Sequence, residues 1–319
     1  MPRDSVAAHQ WKESTMTSIA WIGLGNMGSR MSSHLVAAGH EVRGFDVVDA
    51  LRERAAEHGI APVGSIAEAV EGADVVILSL PKGDHVRQVL ESDDGVFAHA
   101  KPGTLILDTS TVDIETSQWC HGQAGSRGLR FVDAPVSGGT QGAQAGTLTF
   151  MLGGVEDDVA DAKEIVAPMA GNVFAVGEAT HGIAAKLVNN MMLGISVLAM
   201  SEGSQLAHQL GLDPKAFFDV ARVSSGDSWA LRTWYPVPGV VQGAAANDNF
   251  DASFSAMLCH KDIALAVAGA EATGVKVPAA TLIRDQLQRL LDDDLGGKDC
   301  TLVVREASPD GTVAGWDGR

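Results

Sequence analysis

Two polar side chains stand four residues apart in a mostly apolar run of the sequence. They are Lys186 and Asn190, in the segment GIAAKLVNN. On a helix this spacing places both side chains on one face. There an ammonium and a carboxamide can bind one substrate oxygen, and the lysine can exchange a proton with it. The alternative readings are a solvated lysine and an amide that satisfies a buried backbone group.

A glycine-rich turn far upstream predicts a cofactor site. Gly23, Gly25 and Gly28 form the pattern G-x-G-x-x-G between an apolar run, 18–22, and a segment with helical spacing, 26–38. In dinucleotide-binding folds such glycines allow the tight turn, the approach of the pyrophosphate and close helix packing. The predicted cofactor contacts in this turn are Gly23, Leu24, Gly25, Asn26, Met27 and Gly28.

An acidic residue at the expected end of the second strand distinguishes the two nicotinamide dinucleotides. A carboxylate at Asp46 would accept hydrogen bonds from ribose hydroxyls and repel a 2′-phosphate, so we predict NAD rather than NADP. The alternative is that Asp46 is a turn or helix-capping residue. A nicotinamide ring together with Lys186 predicts hydride transfer at a hydroxyl-bearing carbon. Such a reaction requires no metal.

The first half of the chain alternates strand and helix patterns, which predicts an α/β, Rossmann-type doubly wound parallel sheet. The predicted strands are 18–22, 41–45, 74–80, 104–107, 129–132, 148–152 and 173–176. From residue 179 the strand patterns vanish, which predicts an all-α second domain. Its predicted elements are one long helix at 181–210, a helix that begins at Asp213, a Trp/Pro-rich loop at 228–239, and helices at 254–272 and 278–291.

Four segments follow from these patterns. Residues 1–16 are predicted to be a disordered extension, 17–178 the NAD-binding domain, 179–305 a helical domain for substrate and oligomerisation, and 306–319 a loose tail.

The composition restricts partners and compartment. The formal net charge of −17 argues against nucleic acid and anionic membrane surfaces, because both need a basic patch. Three widely spaced cysteines form no disulfide framework or metal-ligand spacing, which favours a reducing interior such as the cytoplasm or the mitochondrial matrix. The apolar stretch at 187–200 is shorter than the ~20 residues of a membrane span, so we predict a buried helix.

Four ordered motifs between about 18 and 304 resemble those of the β-hydroxyacid dehydrogenases. They are the glycine turn, DAPVSGGT at 133–140 with Gly142-Ala143 and Gly146–Leu148, the segment at 182–190, and KDIALA at 261–266. Trp229, the segment at 236–240 and Gly297-Lys298-Asp299 are similar to the branch that acts on 3-hydroxyisobutyrate rather than the branch that reduces tartronate semialdehyde.

The resemblance implies a role for each matching residue. Lys186 would be the catalytic proton relay and Asn190 its assistant. Binding of substrate is implied for Ser137, Gly138, Gly139, Trp229 and Lys261, and binding of cofactor for Leu80, Pro81, Thr111 and Lys261. A plain turn at 137–139 and a surface ion pair at Lys261 are the alternatives.

Departures from the family pattern leave the substrate open. His85 stands in place of Asn beside the cofactor, Tyr235 follows Trp234 in place of another Asn, and Cys259 replaces Met. The resemblance implies NAD-dependent oxidation of 3-hydroxyisobutyrate to methylmalonate semialdehyde, a step of valine degradation, by a homodimer or homotetramer. The alternative substrates are tartronate semialdehyde, serine and threonate. An alternative from another class is a non-catalytic nucleotide-binding interaction protein, against which the presence of Lys186 argues.

Overall fold

A computed structural model describes residues 16–318. The chain forms two compact units that divide between Lys186 and Leu187, which we call the sheet unit and the helical unit. The predicted boundary, between 178 and 179, lies just before the long helix, whereas the division of the structure falls inside that helix. The predicted disordered extension lies outside the described residues except for the exposed Met16.

The sheet unit contains, within the described residues, a nine-stranded and mostly parallel sheet. Its spatial order is β3-β2-β1-β4-β5-β6-β8-β7, and β9 pairs with β8. The strands are β1 Ser18–Ile22, β2 Glu41–Phe45, β3 Ala61–Pro62, β4 Val75–Leu78, β5 Leu105–Asp108, β6 Arg130–Asp133, β7 Val136–Ser137, β8 Leu148–Gly153 and β9 Ala170–Gly177. Strands β4 and β5 are buried along their whole length, as expected of parallel strands covered on both faces.

The sheet is mostly parallel, as predicted, and departs from the parallel arrangement at one edge. Strand β8 runs antiparallel to both β6 and β7. A parallel crossover needs a dozen or more residues, and only residues 138–147 separate β7 from β8. The two-residue strands β3 and β7 were not predicted because they are too short to show a period of two.

Helices cover the strands of the sheet unit. They are α1 Gly28–Ala37, α2 Asp49–Ala56, α3 Ile66–Val70, α4 Gly83–Glu91, α5 Val96–His99, α6 Ile114–Ser126, α7 Gly139–Ala145 and α8 Glu156–Val166, followed by a 3₁₀ turn at Ala167–Met169. Helix α6 begins at the side chain of Asp113, whose carboxylate accepts the Thr116 N–H at 2.6 Å.

The helical unit contains helices and 3₁₀ turns. Helix α9, His181–Gln209, begins in the sheet unit and continues here, and it is followed by α10 Pro214–Ala221, α11 Trp229–Trp234, α12 Ala256–Thr273, α13 Pro278–Asp292 and 3₁₀ helices at Ala245–Asn247 and Cys300–Ala307. The predicted loop at 228–239 therefore contains a short helix. Ser228 starts that helix, because its hydroxyl accepts the Leu231 N–H at 3.1 Å.

The predicted loose tail packs on the helical unit. Val313 is buried, and the guanidinium of Arg305 lies 5.4 Å from the ring centre of Trp316. The Asp317 N–H donates to the side-chain oxygen of Asn249 at 2.9 Å. The tail holds two apolar anchors without helical or strand spacing, which explains why sequence periodicity gave no sign of it.

A fully buried carboxylate organises the segment before α12. Asp299 accepts hydrogen bonds from the backbone N–H and hydroxyl of Ser253, the backbone N–H of Phe254, and the backbone N–H and hydroxyl of Thr301. A charge so buried is tolerable only with such a set of donors. The Gly297–Asp299 segment, which the sequence offered as a branch marker, is thus a structural support here.

Helix α9 is long and apolar enough, by length and composition alone, to cross a membrane, a property that core helices share. Within the helical unit it exposes Val188, Met192 and Leu206. Self-association would cover such side chains. The homodimer or homotetramer stays a prediction, as does the absence of a membrane partner.

The first turn of α9 lies so close to the sheet that Gly182 has no room for a side chain. A Cβ on Gly182 would lie 2.5 Å from the carbonyl oxygen of Met151 and 2.6 Å from that of Asp133. Both neighbours are backbone atoms, so neither can rotate away. Glycine at this position is therefore a requirement of packing.

We expect Gly182→Ala to lower the free energy of unfolding by about 1–3 kcal/mol, because the added methyl group overpacks a rigid contact. Gly203→Ala is the matched control, since it lies in the same helix and its Cβ would meet nothing within 4 Å. Better helix propensity should make that variant neutral or more stable by about 0.5–1 kcal/mol. Urea denaturation measures both, and equal stability of the two variants would contradict the packing argument.

Candidate active site

The glycine turn after β1 shows a different constraint at each glycine. Gly23 has a φ of +100°, and a Cβ there would lie 2.3 Å from the Ser79 carbonyl oxygen. At Gly28 a Cβ would lie 1.9 Å from the Gly23 carbonyl oxygen. At Gly25 a Cβ would meet nothing within 4 Å. Gly23 and Gly28 are therefore required by the turn and its packing. Gly25 leaves the backbone open to a ligand.

The turn fits the pyrophosphate of a dinucleotide. The Ser29 N–H donates to the Gly25 carbonyl oxygen at 3.1 Å as α1 begins, so the amides of Asn26, Met27 and Gly28 precede this bond. Amides at a helix start attract anionic oxygens. The indole N–H of Trp21 donates to the Gly23 carbonyl oxygen at 2.9 Å and ties the turn to β1.

Asp46 links the end of β2 to this turn. Its two carboxylate oxygens accept the N–H of Leu24 at 2.8 Å and of Val48 at 2.9 Å. The alternative role as a turn residue is therefore real, but a carboxylate has about four acceptor positions and keeps capacity for ribose hydroxyls. Arg43 donates instead to the carbonyl oxygens of Glu68 and Glu71.

The other predicted cofactor residues follow the neighbouring strands. Leu80 and Pro81 follow β4 and Thr111 follows β5, while β1, β4 and β5 are adjacent and parallel. Their carboxyl ends form the edge where α/β sheets bind ligands. The Leu80 N–H donates to the Ser110 hydroxyl at 2.9 Å, which joins two of these connections. His85 lies in the first turn of α4.

The predicted carboxylate-binding segment joins β7 to α7. Ser137 ends β7, and Gly138 and Gly139 have φ values of +131° and +62°. Only glycine adopts such a pair without strain. A Cβ on Gly139 would meet nothing within 4 Å. The segment is both the turn of the alternative reading and an open stretch of backbone, so its binding role stays a prediction.

Lys186 and Asn190 both lie in α9, and both are buried. Lys186 is only 8% exposed, which argues against the solvated-lysine alternative. The side-chain amide of Asn190 donates to Asp262 Oδ2 at 2.7 Å. The Asn190 amide therefore satisfies a buried carboxylate rather than a backbone group.

Asp262 is a candidate that the sequence reasoning passed over. It is 4% exposed within α12, and the Lys261 ammonium lies 3.2 Å from its other oxygen. Lys261, Asp262 and Asn190 thus form one polar chain inside the helical unit. The ion pair of the alternative reading exists, but its acid partner is buried. The available signal was an acidic residue in an apolar helix, directly after Lys261.

Trp229, for which the resemblance implies a contact with substrate, and the nearby Tyr235 lie in two different environments. Trp229 is half exposed, and its ring meets the Trp234 ring edge-on at a centroid distance of 4.9 Å. Tyr235 is buried against Phe218, and burial raises the pKa of Tyr235 to about 12. Its side chain belongs to the core of the helical unit.

Asp133 and His121 were also missed as candidates. Asp133 ends β6, and its carboxylate accepts the N–H groups of Thr180 at 3.0 Å and Ile183 at 2.8 Å, where α9 begins. His121 Nε2 lies 2.7 Å from the same carboxylate. The sequence motif at 133–140 contains Asp133, but no local pattern pairs it with α6 or α9.

All three thiols are buried: Cys120 in the sheet unit, and Cys259 and Cys300 in the helical unit. Burial raises the pKa of Cys120. A hydrogen bond with Cys259, followed by burial, raises the pKa of Cys300 well above its usual value. Cys120 and Cys300 are therefore held as thiols rather than as the thiolates that nucleophilic chemistry requires.

Comparison with known families covers nearly the whole described chain. Residues 18–177 match the NAD-binding domain of 6-phosphogluconate dehydrogenase, and residues 180–307 match the NAD-binding region of NADP-dependent 3-hydroxyisobutyrate dehydrogenase. These two matches correspond to the predicted Rossmann-type and helical parts.

Two similar sequences and one solved structure illustrate the matches. A probable 3-hydroxyisobutyrate dehydrogenase of Mycobacterium tuberculosis is 44% identical over 270 residues, which cover 85% of this chain and 91% of that one. An NAD-dependent L-serine dehydrogenase of Pseudomonas aeruginosa is 38% identical over 294 residues, or 92% and 99% of the two chains. A solved structure of the M. tuberculosis 3-hydroxyisobutyrate dehydrogenase with L-serine is 42% identical, covers 92% and 99% of the two chains, and has a TM-score of 0.86.

These findings confirm the predicted fold class, the NAD cofactor and the enzyme class. The glycine turn, Asp46 and the buried Lys186 supply the physical basis for the assignment. The chain therefore belongs to the β-hydroxyacid dehydrogenase family, as an NAD-dependent oxidoreductase for 3-hydroxy acids.

Proposed function

We propose that this protein oxidises 3-hydroxyisobutyrate to methylmalonate semialdehyde in valine degradation. The observation that carries the proposal is the 44% identity, over 270 residues, to a probable 3-hydroxyisobutyrate dehydrogenase. The residues at Trp229 and 236–240, which resemble the same branch, support it.

Lys186 is the proposed proton relay. The glycine turn and Asp46 would hold NAD, which would supply the acceptor for the hydride of the carbinol carbon. The Lys186 amine takes the hydroxyl proton during oxidation and returns it during reduction. Because Lys186 is buried, its charge acts on the substrate oxygen with little screening by water.

Asn190 is proposed to orient the lysine or the substrate hydroxyl. It lies one helical turn after Lys186 in α9, and its donor to Asp262 fixes which end of the amide is an acceptor. The Asn190 oxygen already accepts from the Asn189 side chain at 3.2 Å. The amide is therefore held from both ends rather than free to flip.

The segment Ser137–Gly139 is proposed to bind the substrate carboxylate. Ser137 offers a hydroxyl, and the open backbone at Gly139 lets an anion approach N–H groups. Two such contacts would hold the hydroxyl-bearing carbon in a fixed position for transfer. Lys261, whose ammonium pairs with Asp262, is proposed to contact substrate and cofactor.

L-serine is the second candidate substrate. It shares with 3-hydroxyisobutyrate a CH₂OH group next to the carbon that bears the carboxylate, and differs by an ammonium in place of a methyl group. The L-serine dehydrogenase of P. aeruginosa and the M. tuberculosis structure with L-serine favour it.

Initial rates of NAD and NADP reduction with 3-hydroxyisobutyrate, L-serine, glycerate and threonate test the proposal directly. We expect kcat/KM with NAD and 3-hydroxyisobutyrate to exceed that with L-serine by about tenfold or more, a difference of about 1.4 kcal/mol in transition-state binding. A preference for L-serine would replace the substrate and keep the family. No turnover despite NADH binding would favour the non-catalytic alternative.

Lys186→Ala should lower kcat by at least about 100-fold, because it removes the proton relay. The dissociation constant of NADH should change little, since the glycine turn and Asp46 remain. Lys163→Ala, at an exposed position of α8, is the matched control and should keep full activity. Turnover of the Lys186 variant at the wild-type rate would disprove this mechanism.

Asp46→Asn should lower the ratio of kcat/KM for NAD to that for NADP by about tenfold, because the carboxylate that repels a 2′-phosphate is neutralised. The amide oxygen can still accept the Leu24 N–H, so the turn should persist. Asp49→Asn, an exposed acid in the first turn of α2, controls for a general change of local charge. An unchanged ratio at position 46 would show that another residue sets cofactor choice.

A further inference from the structure

Helix α9 begins at a carboxylate that belongs to a distant strand. The N–H of Thr180 donates to Asp133 Oδ1 at 3.0 Å, and the N–H of Ile183 donates to Oδ2 at 2.8 Å. A helix start leaves such amides without partners inside the helix, and a common partner is the side chain of the residue just before the helix. Here the partner is the last residue of β6, so the start of the helix is fixed to the sheet.

The backbone around this connection is closely packed. A Cβ on Gly153 would lie 2.5 Å from the Gly182 nitrogen and 2.9 Å from Asp133 Oδ2. Thr180 has a φ of +73°, a rare conformation for a β-branched residue. Its hydrogen bond to Asp133 offsets part of that strain. Thr180 therefore adopts a disfavoured backbone conformation that lets its N–H reach the Asp133 carboxylate.

His121 supplies a side-chain donor to the same carboxylate. Its Nε2 lies 2.7 Å from Asp133 Oδ1, and its ring packs edge-on against Phe131 at a centroid distance of 4.8 Å. Both side chains of the pair are nearly buried, at 13% and 4% exposure. An ionised carboxylate can only accept, so Nε2 carries the hydrogen and donates it. The histidine therefore restrains the rotation of a carboxylate that already holds two backbone amides.

Lys186 follows Ile183 by three residues in α9. We propose that His121 is a positioning residue for the dehydrogenase reaction: it orients Asp133, Asp133 sets the first turn of α9, and that turn places Lys186. The inference rests on the proposed role of Lys186. Ile183 and Lys186 are separated by about 4.5 Å of helix rise, so a shift at the first passes almost undiminished to the second. A displacement of about 1 Å at a reacting group can reduce the rate about 100-fold.

Removal of the His121 donor should lower kcat and leave the affinity for NADH unchanged. In His121→Leu, which keeps an apolar side chain against Phe131, kcat should fall about tenfold or more. The dissociation constant of NADH should stay within about twofold of wild type. The glycine turn lies between β1 and α1, whereas His121 lies in α6. His121→Gln, whose amide N–H can occupy the place of Nε2–H, should restore most of kcat.

Phe131→Leu is the matched control for packing. It removes the ring contact of His121 and leaves the hydrogen bond to Asp133. Its melting temperature should fall while kcat per folded molecule stays within about twofold of wild type. Assays well below the melting temperature of every variant keep the folded fraction constant. Unchanged kcat in His121→Leu, or equal losses in the Leu, Gln and Phe131 variants, would overturn the inference.

Hydrogen exchange of residues 180–186 gives a second readout that does not depend on turnover. Faster exchange of the Thr180 and Ile183 amides in His121→Leu, restored in His121→Gln, is the expected result. Equal protection in all variants would overturn the inference. If wild type turned over none of the tested acids, the proposed function would fail, and the exchange data would still decide whether His121 holds the helix start.

Discussion

The carboxylate of Asp133 is the contact on which the candidate site of the sheet unit depends. It ends the parallel strand β6 and accepts two amides where α9 begins. A helix start held in this way combines charge, hydrogen bonding and the helix dipole. The glycines at 153 and 182 exist to let the backbone come that close. Through this contact the sheet that carries the cofactor turn also determines where Lys186 stands.

The glycine turn after β1 and the start of α9 are held by the same kind of contact. At the glycine turn, Asp46 holds the Leu24 amide, and glycine backbone is pressed against carbonyl oxygens. At the start of α9, Asp133 holds the Ile183 amide, and glycine backbone is again pressed against carbonyl oxygens. In both places an acidic residue at or just after a strand end accepts a backbone amide, and a glycine beside it has no room for a Cβ. The two carboxylates thus connect each turn to a strand, and strands hold functional groups in position more precisely than loops do.

Sequence periodicity predicts the elements whose residues are neighbours in the chain. The strand at 41–45 and the long helix at 181–210 were predicted almost to the residue, because apolar spacing and bounding glycines are local signals. Strand β7 and helix α11 were missed because two to six residues show no reliable period. The antiparallel edge follows from a short connection rather than from any residue pattern.

The sequence predicted the candidate residues that stand in recognisable motifs. It missed those whose place depends on contacts with distant parts of the chain. Lys186, Asn190 and the glycine turn stand in recognisable segments. The hydrogen bonds that hold them do not, since Asp133 meets Ile183 across 50 residues and Asn190 meets Asp262 across 72. An acidic residue in an apolar segment indicates that its carboxylate needs hydrogen-bond partners, but the sequence does not identify those partners. Such pairings become visible only when the chain is folded.

The three buried cysteines can report how often the folded protein opens. A thiol reagent cannot reach Cys120, Cys259 or Cys300 while the surrounding core is closed. Alkylation then proceeds only as often as the structure opens, so its rate measures the free energy of opening. Because Cys120 lies in the sheet unit and the other two in the helical unit, each unit reports its own opening.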